Sequence, residues 1–469
     1  MKTITAKALR EIEKELSLPL FFQVPIGSTL FTTLRMFYYG LWTENWKIPW
    51  LYRLLRLRYW FFPKRNKTPQ KLFSKGKILF SLSDATPRLT ELVLPILKEF
   101  NSEHCVVLCK NDSIIPFIPK NVHSIVWDKV QSYKVKDWRN EYRRCNPEWT
   151  VKLKLICHQY ELLKGAYEVI KFSLMIYSQQ VAGCIAFLEI TRPAVIVTDY
   201  DRDSNWSCLV LAARLLGVPT VTLVHGNMGE DSIGFSPVLS DKIVSWGVLD
   251  REKLIKAGES SDKIIIGGCP RMSRNIFSHR ENSRNKLSLD LMKPVVMFVA
   301  TNEKHNLEFV KLFCHAIEML GYVSGIVRLH PVEKLASYSA IIDQHHLVKF
   351  VENHQVSLDE SIASADVVVF HNSGMGSDVL VKRRPLVLLE IDEEPSGLGR
   401  DVVTLAGCPH VRTSDELADV LCKILLDNSV REKLVLAAEP YVKSFCYAYG
   451  DEAARLTANI IRQLVNDNN

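Results

Sequence analysis

The sequence predicts an α/β protein of two Rossmann-like, doubly wound domains facing across a cleft, with a basic, aromatic helical segment at the N-terminus. Three observations predict it. From Gly76 onward, short β-rich apolar runs alternate with stretches of helical periodicity, twice over. Polar residues able to do chemistry follow those runs directly, as they do at the carboxyl ends of strands in open parallel sheets. Finally, 469 residues with 47% hydrophobic content exceed what one ordinary core takes up.

The formal charge of +7 is unevenly spread. Residues 1–77 hold 15 Lys+Arg and 4 Asp+Glu, which leaves 44 and 48 for the remainder, so the basic excess is N-terminal and the body is slightly acidic. Met1–Ser17 is charged and amphipathic, without the apolar region of a signal peptide. Between Asn45 and Lys67 stand seven basic residues, seven aromatics and no acid. Rings and long cations suit lipid headgroups, so residues 18–67 are expected to lie on a membrane surface, a helical cap packed on the first domain being the other reading. A nucleic-acid partner is not expected, because the body has no basic groove or binding motif. The eleven cysteines form no Cys-x-x-Cys pair and no metal-ligand spacing, which points to a reduced, cytoplasmic chain.

The first domain is expected over 76–270. Strands are predicted at Lys77–Ser81, Cys105–Cys109 and His123–Trp127, with a helix over Pro87–Phe100 and a long helical region over 148–190. Ala194–Val197 and the run from Val218 that ends at His225-Gly226 then read as buried strands flanking a helix that ends near Gly217. Further strands follow at Lys242–Ser245 and Lys263–Ile266. Residues 271–292 lack a sustained apolar face and read as a linker. The second domain, 293–446, repeats the architecture, with strands at Pro294–Val299, Gly325–Leu329, Val348–Val351, Asp366–Phe370 and Leu386–Glu390. Residues 447–469 form a closing helix.

Four constellations sit at strand ends. Asp199, Asp201 and Asp203 follow the first; clustered carboxylates bind a metal or serve as a base, or form a turn capping the next helix. His225-Gly226, followed by Asn227, Gly229, Glu230 and Asp231, is a candidate for proton transfer or a structural histidine. Arg328-Leu-His330-Pro331 offers phosphate a planar fork and a ring N–H, or forms a salt-bridged loop. In Phe370-His-Asn372-Ser373-Gly374-Met-Gly-Ser-Asp378 a strand breaks into a helix N-terminus, a natural seat for phosphate, unless the glycines serve only close packing. The absence of a Walker loop and of Gly-x-Gly-x-x-Gly after the first strand disfavours ATPases and nicotinamide enzymes, and the absence of Gly-x-Ser-x-Gly disfavours α/β-hydrolases.

The runs Ala212–Gly226, Val244–Gly247, Gly267–Arg271, Arg328–Pro331, Asn372–Asp378 and Tyr449–Ala454, in their order and spacing, resemble GT-B glycosyltransferases of bacterial surface polysaccharides, such as polysialyltransferases, capsule sugar transferases and teichoic-acid polymerases. The resemblance covers about 190–465 well and 76–190 by architecture alone. It implies transfer of a sugar from a CMP-, CDP- or UDP-linked donor to a polysaccharide or lipid-linked glycan, at the inner face of the cell membrane, with no cofactor and no essential metal. By the same resemblance Arg328, His330, Asn372, Ser373 and Gly374 hold phosphate and Asp378 the ribose. The family usually has Glu where this chain has Asp378, so Glu390 is a substitute for that contact. Asp201 or His225, with Asp199 beside them, would take the acceptor proton. Nucleotide-sugar 2-epimerases share the His-Pro and Ser-Gly elements and form the alternative, and a non-catalytic glycosyltransferase-like protein is a third.

Overall fold

A computed structural model describes every residue except 1–4, 39–46, 62–71, 132, 134–136, 161–163, 231, 275–279, 302–305, 393–396 and 468–469. The chain forms two compact units: Met1–Trp246, Asp250–Arg271 and Gly450–Asn469 make the first, and Gly247–Leu249 with Met272–Tyr449 the second.

The first unit is built on a seven-stranded parallel sheet: β1 (Ile78–Leu82), β2 (Cys105–Cys109), β3 (His123–Val126), β4 (Val195–Thr198), β5 (Thr220–Leu223), β6 (Lys242–Ser245) and β7 (Ile264–Ile266). Its order is β3-β2-β1-β4-β5-β6-β7. The continuous apolar runs of β1, β2 and β4 are buried throughout, as strands covered on both faces must be. The chain winds outward from β1 on one side and from β4 on the other, so the topological switch point lies between them, with Ser81 level with Thr198.

The described residues of 1–75, expected as a separate segment, fall in this unit. Helix Ala6–Leu16, capped by the Thr5 side chain, buries Leu9, Ile12 and Leu16 completely. Phe21, Val24, Ile26, Leu30, Phe31 and Leu34 join the same core, so much of 18–38 is spent on packing rather than facing a membrane. Each such side chain stabilises by about 1.5–3 kcal/mol relative to exposure. The long helical region resolves into Trp138–Gln159 and Lys164–Thr191. Ala166–Thr191 is long and apolar enough to cross a membrane by composition, but 72% of its most apolar window is buried inside the unit, which makes it a core helix.

Helix Lys47–Phe61 packs on Lys164–Thr191 through Tyr52 against Phe172, and through Arg53 and Arg56, which both reach the buried Glu168 carboxylate at 2.8 and 3.0 Å. Its opposite face carries Trp50, Leu51, Leu54 and Leu57, all exposed. Trp46, Phe62, Lys64, Arg65 and Lys67 lie outside the described residues.

The second unit has a six-stranded parallel sheet of β8 (Val295–Val299), β9 (Ser324–Arg328), β10 (Val348–Val351), β11 (Val367–Phe370), β12 (Leu386–Leu389) and β13 (His410–Val411), in the order β10-β9-β8-β11-β12-β13. Its switch point is between β8 and β11. Arg284, in the expected linker, is instead buried in this unit, donating to Asp366 at 2.7 Å and to the Ser364 carbonyl at 2.9 Å. The closing helix, Gly450–Asn466, returns to the first unit, where Ala454, Ala458 and Ile461 pack with Leu92, Val93 and Ile96.

Candidate functional site

In the second unit the carboxyl strand ends gather His330, His371, Ser373 and Glu390. Phe370 of β11 is level with Val299 of β8, and Val299 with Arg328 of β9, so the residues after each strand line one edge. His330 follows β9 in a braced loop. Its N–H donates to Glu333 Oε2 at 3.0 Å, and its Nδ1 accepts from Val332 N at 3.4 Å. With Nδ1 accepting, Nε2 is the ring nitrogen left to donate to an anionic oxygen. Glu333 is fixed in turn: Oε1 accepts from Asn306 Nδ2 at 3.0 Å and from the Tyr338 hydroxyl, while Asn306 Oδ1 accepts from Thr301 N at 2.9 Å.

Arg328 does not face outward with His330. Its guanidinium is buried, with Nη1 donating to the Val356 carbonyl (3.1 Å), the Ser357 carbonyl (3.4 Å) and Ser361 Oγ, and Nη2 to Asn353 Oδ1 (2.9 Å). The sequence reading of this residue as a direct phosphate donor meets an arginine committed to the loop beneath the site.

After β11, His371 stacks on Phe309 with ring centroids 3.8 Å apart and directs Nδ1 toward Glu390 Oε2 at 3.3 Å. Both side chains are buried. Asn372 adopts a positive φ of 38°, and Ser373 Oγ accepts from Met375 N at 3.3 Å, opening the helix Met375–Val381 with Gly374 at its N-cap. Gly376 is needed for close approach, since a Cβ there would meet the Phe370 ring at 2.9 Å. Asp378 is buried within that helix. Thus His330, Asn372, Ser373, Gly374, His371 and Glu390 share the edge around β8 and β11, whereas Arg328 and Asp378 sit behind it.

In the first unit Asp199 is fully enclosed at the switch point. Its carboxylate accepts from Ser83 N (2.6 Å) and Ser83 Oγ (2.8 Å), and Ser83 Oγ accepts from Trp206 Nε1 (2.7 Å). Burial pushes its pKa up to about 7, against the lowering effect of those hydrogen bonds. Asp201 turns the other way: Oδ2 accepts from the backbone N–H groups of Leu239 and Ser240, both at 2.9 Å, tying down the 226–241 connection. Asp203 caps helix Ser204–Leu215 through Asn205 N and pairs with Lys110 at 2.6 Å. The capping alternative thus holds for Asp203. The residue between, Arg202, is buried and pairs with Glu13 of the first helix at 2.7 Å.

His225 lies two residues past β5, with ring centroids 4.4 Å from Tyr200 and 4.9 Å from Phe235. The structure therefore brings the aspartate loop and His225 together, as the strand-end argument expects. Asp231 lies outside the described residues. Sequence reasoning missed His371, although it follows an apolar strand as His225 and His330 do, and the same rule finds it. The Asn306–Glu333–Tyr338 brace and the Tyr200–Phe235 pair carry no local sequence signal.

No protein-family model matches the sequence, and no curated protein sequence matches it. Solved structures share its fold. A wall teichoic acid polymerase TagF variant soaked with CDPG is similar at 12% identity and TM-score 0.54, over 90% of this chain and 99% of that one. A UDP-N-acetylglucosamine 2-epimerase is similar at 13% identity and TM-score 0.53, over 83% and 96%. S. aureus MnaA in its UDP co-structure is similar at 13% identity and TM-score 0.52, over 83% and 97%. The chain has the two Rossmann-like domains of the GT-B fold that these enzymes share.

Proposed function

We propose that the protein is a glycosyltransferase that uses a CMP-, CDP- or UDP-linked sugar and extends a surface polysaccharide or lipid-linked glycan at the inner face of the cell membrane. The observation that carries this reading is the second unit's strand-end edge, which an Nε2 donor on a braced loop (His330) shares with the Ser373–Gly374 turn and the His371–Glu390 pair. Such an edge suits a nucleotide phosphate and a ribose: His330, Ser373 and the Gly374 N–H donate to phosphate oxygens, and Glu390, oriented by His371, accepts from a ribose hydroxyl.

In the proposed reaction His225 accepts the proton of the acceptor hydroxyl. The acceptor oxygen forms a bond to the anomeric carbon as the bond from that carbon to the phosphate oxygen breaks, and the departing phosphate keeps the electron pair. Asp201 acts through structure, holding the 226–241 connection that carries Phe235 against His225. No metal is required in this scheme, so activity should survive EDTA; complete loss restored by Mn²⁺ would contradict it. The exposed apolar face of helix Lys47–Phe61, flanked by Arg53 and Arg58, is the proposed membrane contact.

The similarity to 2-epimerases favours a second reading, conversion of a nucleotide sugar at C2. Incubation of the enzyme with UDP-N-acetylglucosamine and related nucleotide sugars, without acceptor, separates the two. Slow release of free nucleotide supports the transferase, and a 2-epimer product overturns it.

A further inference from the structure

The second unit buries a positive charge that no carboxylate pairs among the described residues. Arg328 is 5% exposed, and all the partners of its terminal nitrogens are neutral: two backbone carbonyls, the Ser361 hydroxyl and the Asn353 amide oxygen. Among the described residues Glu360 is the acid whose charge it feels, and Glu360 is itself engaged by Lys286 and by Ser357 N at 2.8 Å. Burial lowers the Arg328 pKa only to about 10, so the group is charged at neutral pH. Elsewhere in this unit the buried Arg284 is paired with Asp366, and Lys382 lies 3.0 Å from Asp359. An unpaired buried cation is costly, and tying a loop to carbonyls does not require one, since a neutral amide donates as well.

Its position gives the charge a use. Arg328 ends β9 in register with Val299 of β8, and Val299 is in register with Phe370 of β11, so the Arg328 backbone stands about two strand spacings, roughly 10 Å, from that of Phe370, the residue that ends β11 before the Ser373–Gly374 turn, and Arg328 precedes His330 by two residues. Through protein rather than water, a fixed charge at that range still acts on an anion. We infer that Arg328 is the buried countercharge for a nucleoside diphosphate at this edge: it attracts the phosphates without touching them, while its fork holds the 353–357 loop. The inference rests on the proposed nucleotide site, but it assigns Arg328 a role different from that of a direct ligand.

The test compares UDP with uridine, and CDP with cytidine, by calorimetric titration of the full-length chain. Arg328→Gln keeps amide donors and removes the charge; Arg328→Lys keeps the charge and removes the fork. Ser361→Asp keeps the arginine and sets a carboxylate against it, which serves if Arg328→Gln does not fold. We expect Arg328→Gln and Ser361→Asp to weaken diphosphate binding at least tenfold while nucleoside binding changes less than threefold. Arg328→Lys should retain most of the wild-type preference for diphosphate over nucleoside. Equal losses for diphosphate and nucleoside in the charge-removing variants, or an unchanged diphosphate affinity, would overturn the role of Arg328 and leave the nucleotide site standing. A wild type that binds none of the four probes would overturn both.

Discussion

Asp201 and His225 divide between them what the sequence left open. The aspartates after β4 were readable as a polar strand end, but not which way each carboxylate turns, because their partners lie 38 and 39 residues along for Asp201 and 116 for Asp199. Asp201→Ala should leave two buried N–H groups without an acceptor and cost about 1–3 kcal/mol for each, read from urea unfolding. Asp201→Asn keeps a carbonyl acceptor, and should keep most of the stability and measurable turnover. His225→Ala should lose about 10²–10⁴-fold in kcat with nucleotide affinity unchanged. Should Asp201→Asn abolish turnover while His225→Ala spares it, the base is the aspartate. His330→Ala should weaken nucleotide binding by roughly 10- to 100-fold, as expected for a hydrogen bond to a charged group; equal affinity for both proteins would remove His330 from the site. A pH effect also follows at this scale. Burial raises the Asp199 and Asp250 pKa values to about 7, above the ordinary unfolded value near 4. The folded state therefore binds these protons more tightly, so their contribution to stability is full below about pH 4, declines through about pH 7 and is lost above it. Asp250→Asn, which still accepts from Trp246 N, should flatten part of the fall in unfolding free energy between about pH 4 and 7; an unchanged slope would show that Asp250 is not its source.

The elements of the two sheets were largely legible because buried parallel strands are continuous apolar runs. Cys105–Cys109, Lys242–Ser245 and Val348–Val351 stand where the pattern puts them, the ends of the other expected strands shift by a residue or two, and the two-residue β13 was not expected. The N-terminal stretch was less legible. Basic and aromatic residues stabilise a membrane-facing helix and a packed one alike, and what separates them is distant: Glu168 for Arg53 and Arg56, and Arg202 for Glu13. Burial raises the Glu13 pKa even against the pull of Arg202, which marks the first helix as part of the core. The membrane prediction therefore narrows to one helix. Trp50, Leu54 and Leu57 recur at i, i+4 and i+7 on the face opposite Tyr52. Leu54→Glu with Leu57→Glu should reduce partitioning onto anionic vesicles several-fold and leave the unfolding midpoint nearly unchanged, because these side chains are exposed in the folded chain. Undiminished partitioning would show that this face is not the contact.

At the scale of the whole chain, the doubling of the α/β pattern made two units readable, but not the path between them. An amphipathic helix announces that it has an apolar face and not which core receives it. Gly450–Asn466 follows the second unit in sequence, yet its Ala454, Ala458, Ile460 and Ile461 complete the first unit's core, and Arg462 donates to the Glu99 carbonyl and lies over the Phe100 ring. The first unit is thus assembled from both ends of the chain, and the second from the middle. A chain ending at Tyr449 should lose a layer of the first unit's core while keeping every described residue of the second. Removing two buried isoleucines alone forfeits about 3–6 kcal/mol of burial, comparable to much of a domain's net stability. The truncated protein should therefore show early melting and rapid proteolysis confined to first-unit segments such as 78–109. Nucleotide binding should persist in the second unit, measured as protection of its amides from hydrogen exchange on adding UDP or CDP. Simultaneous unfolding of both units, or an intact first unit, would contradict this division.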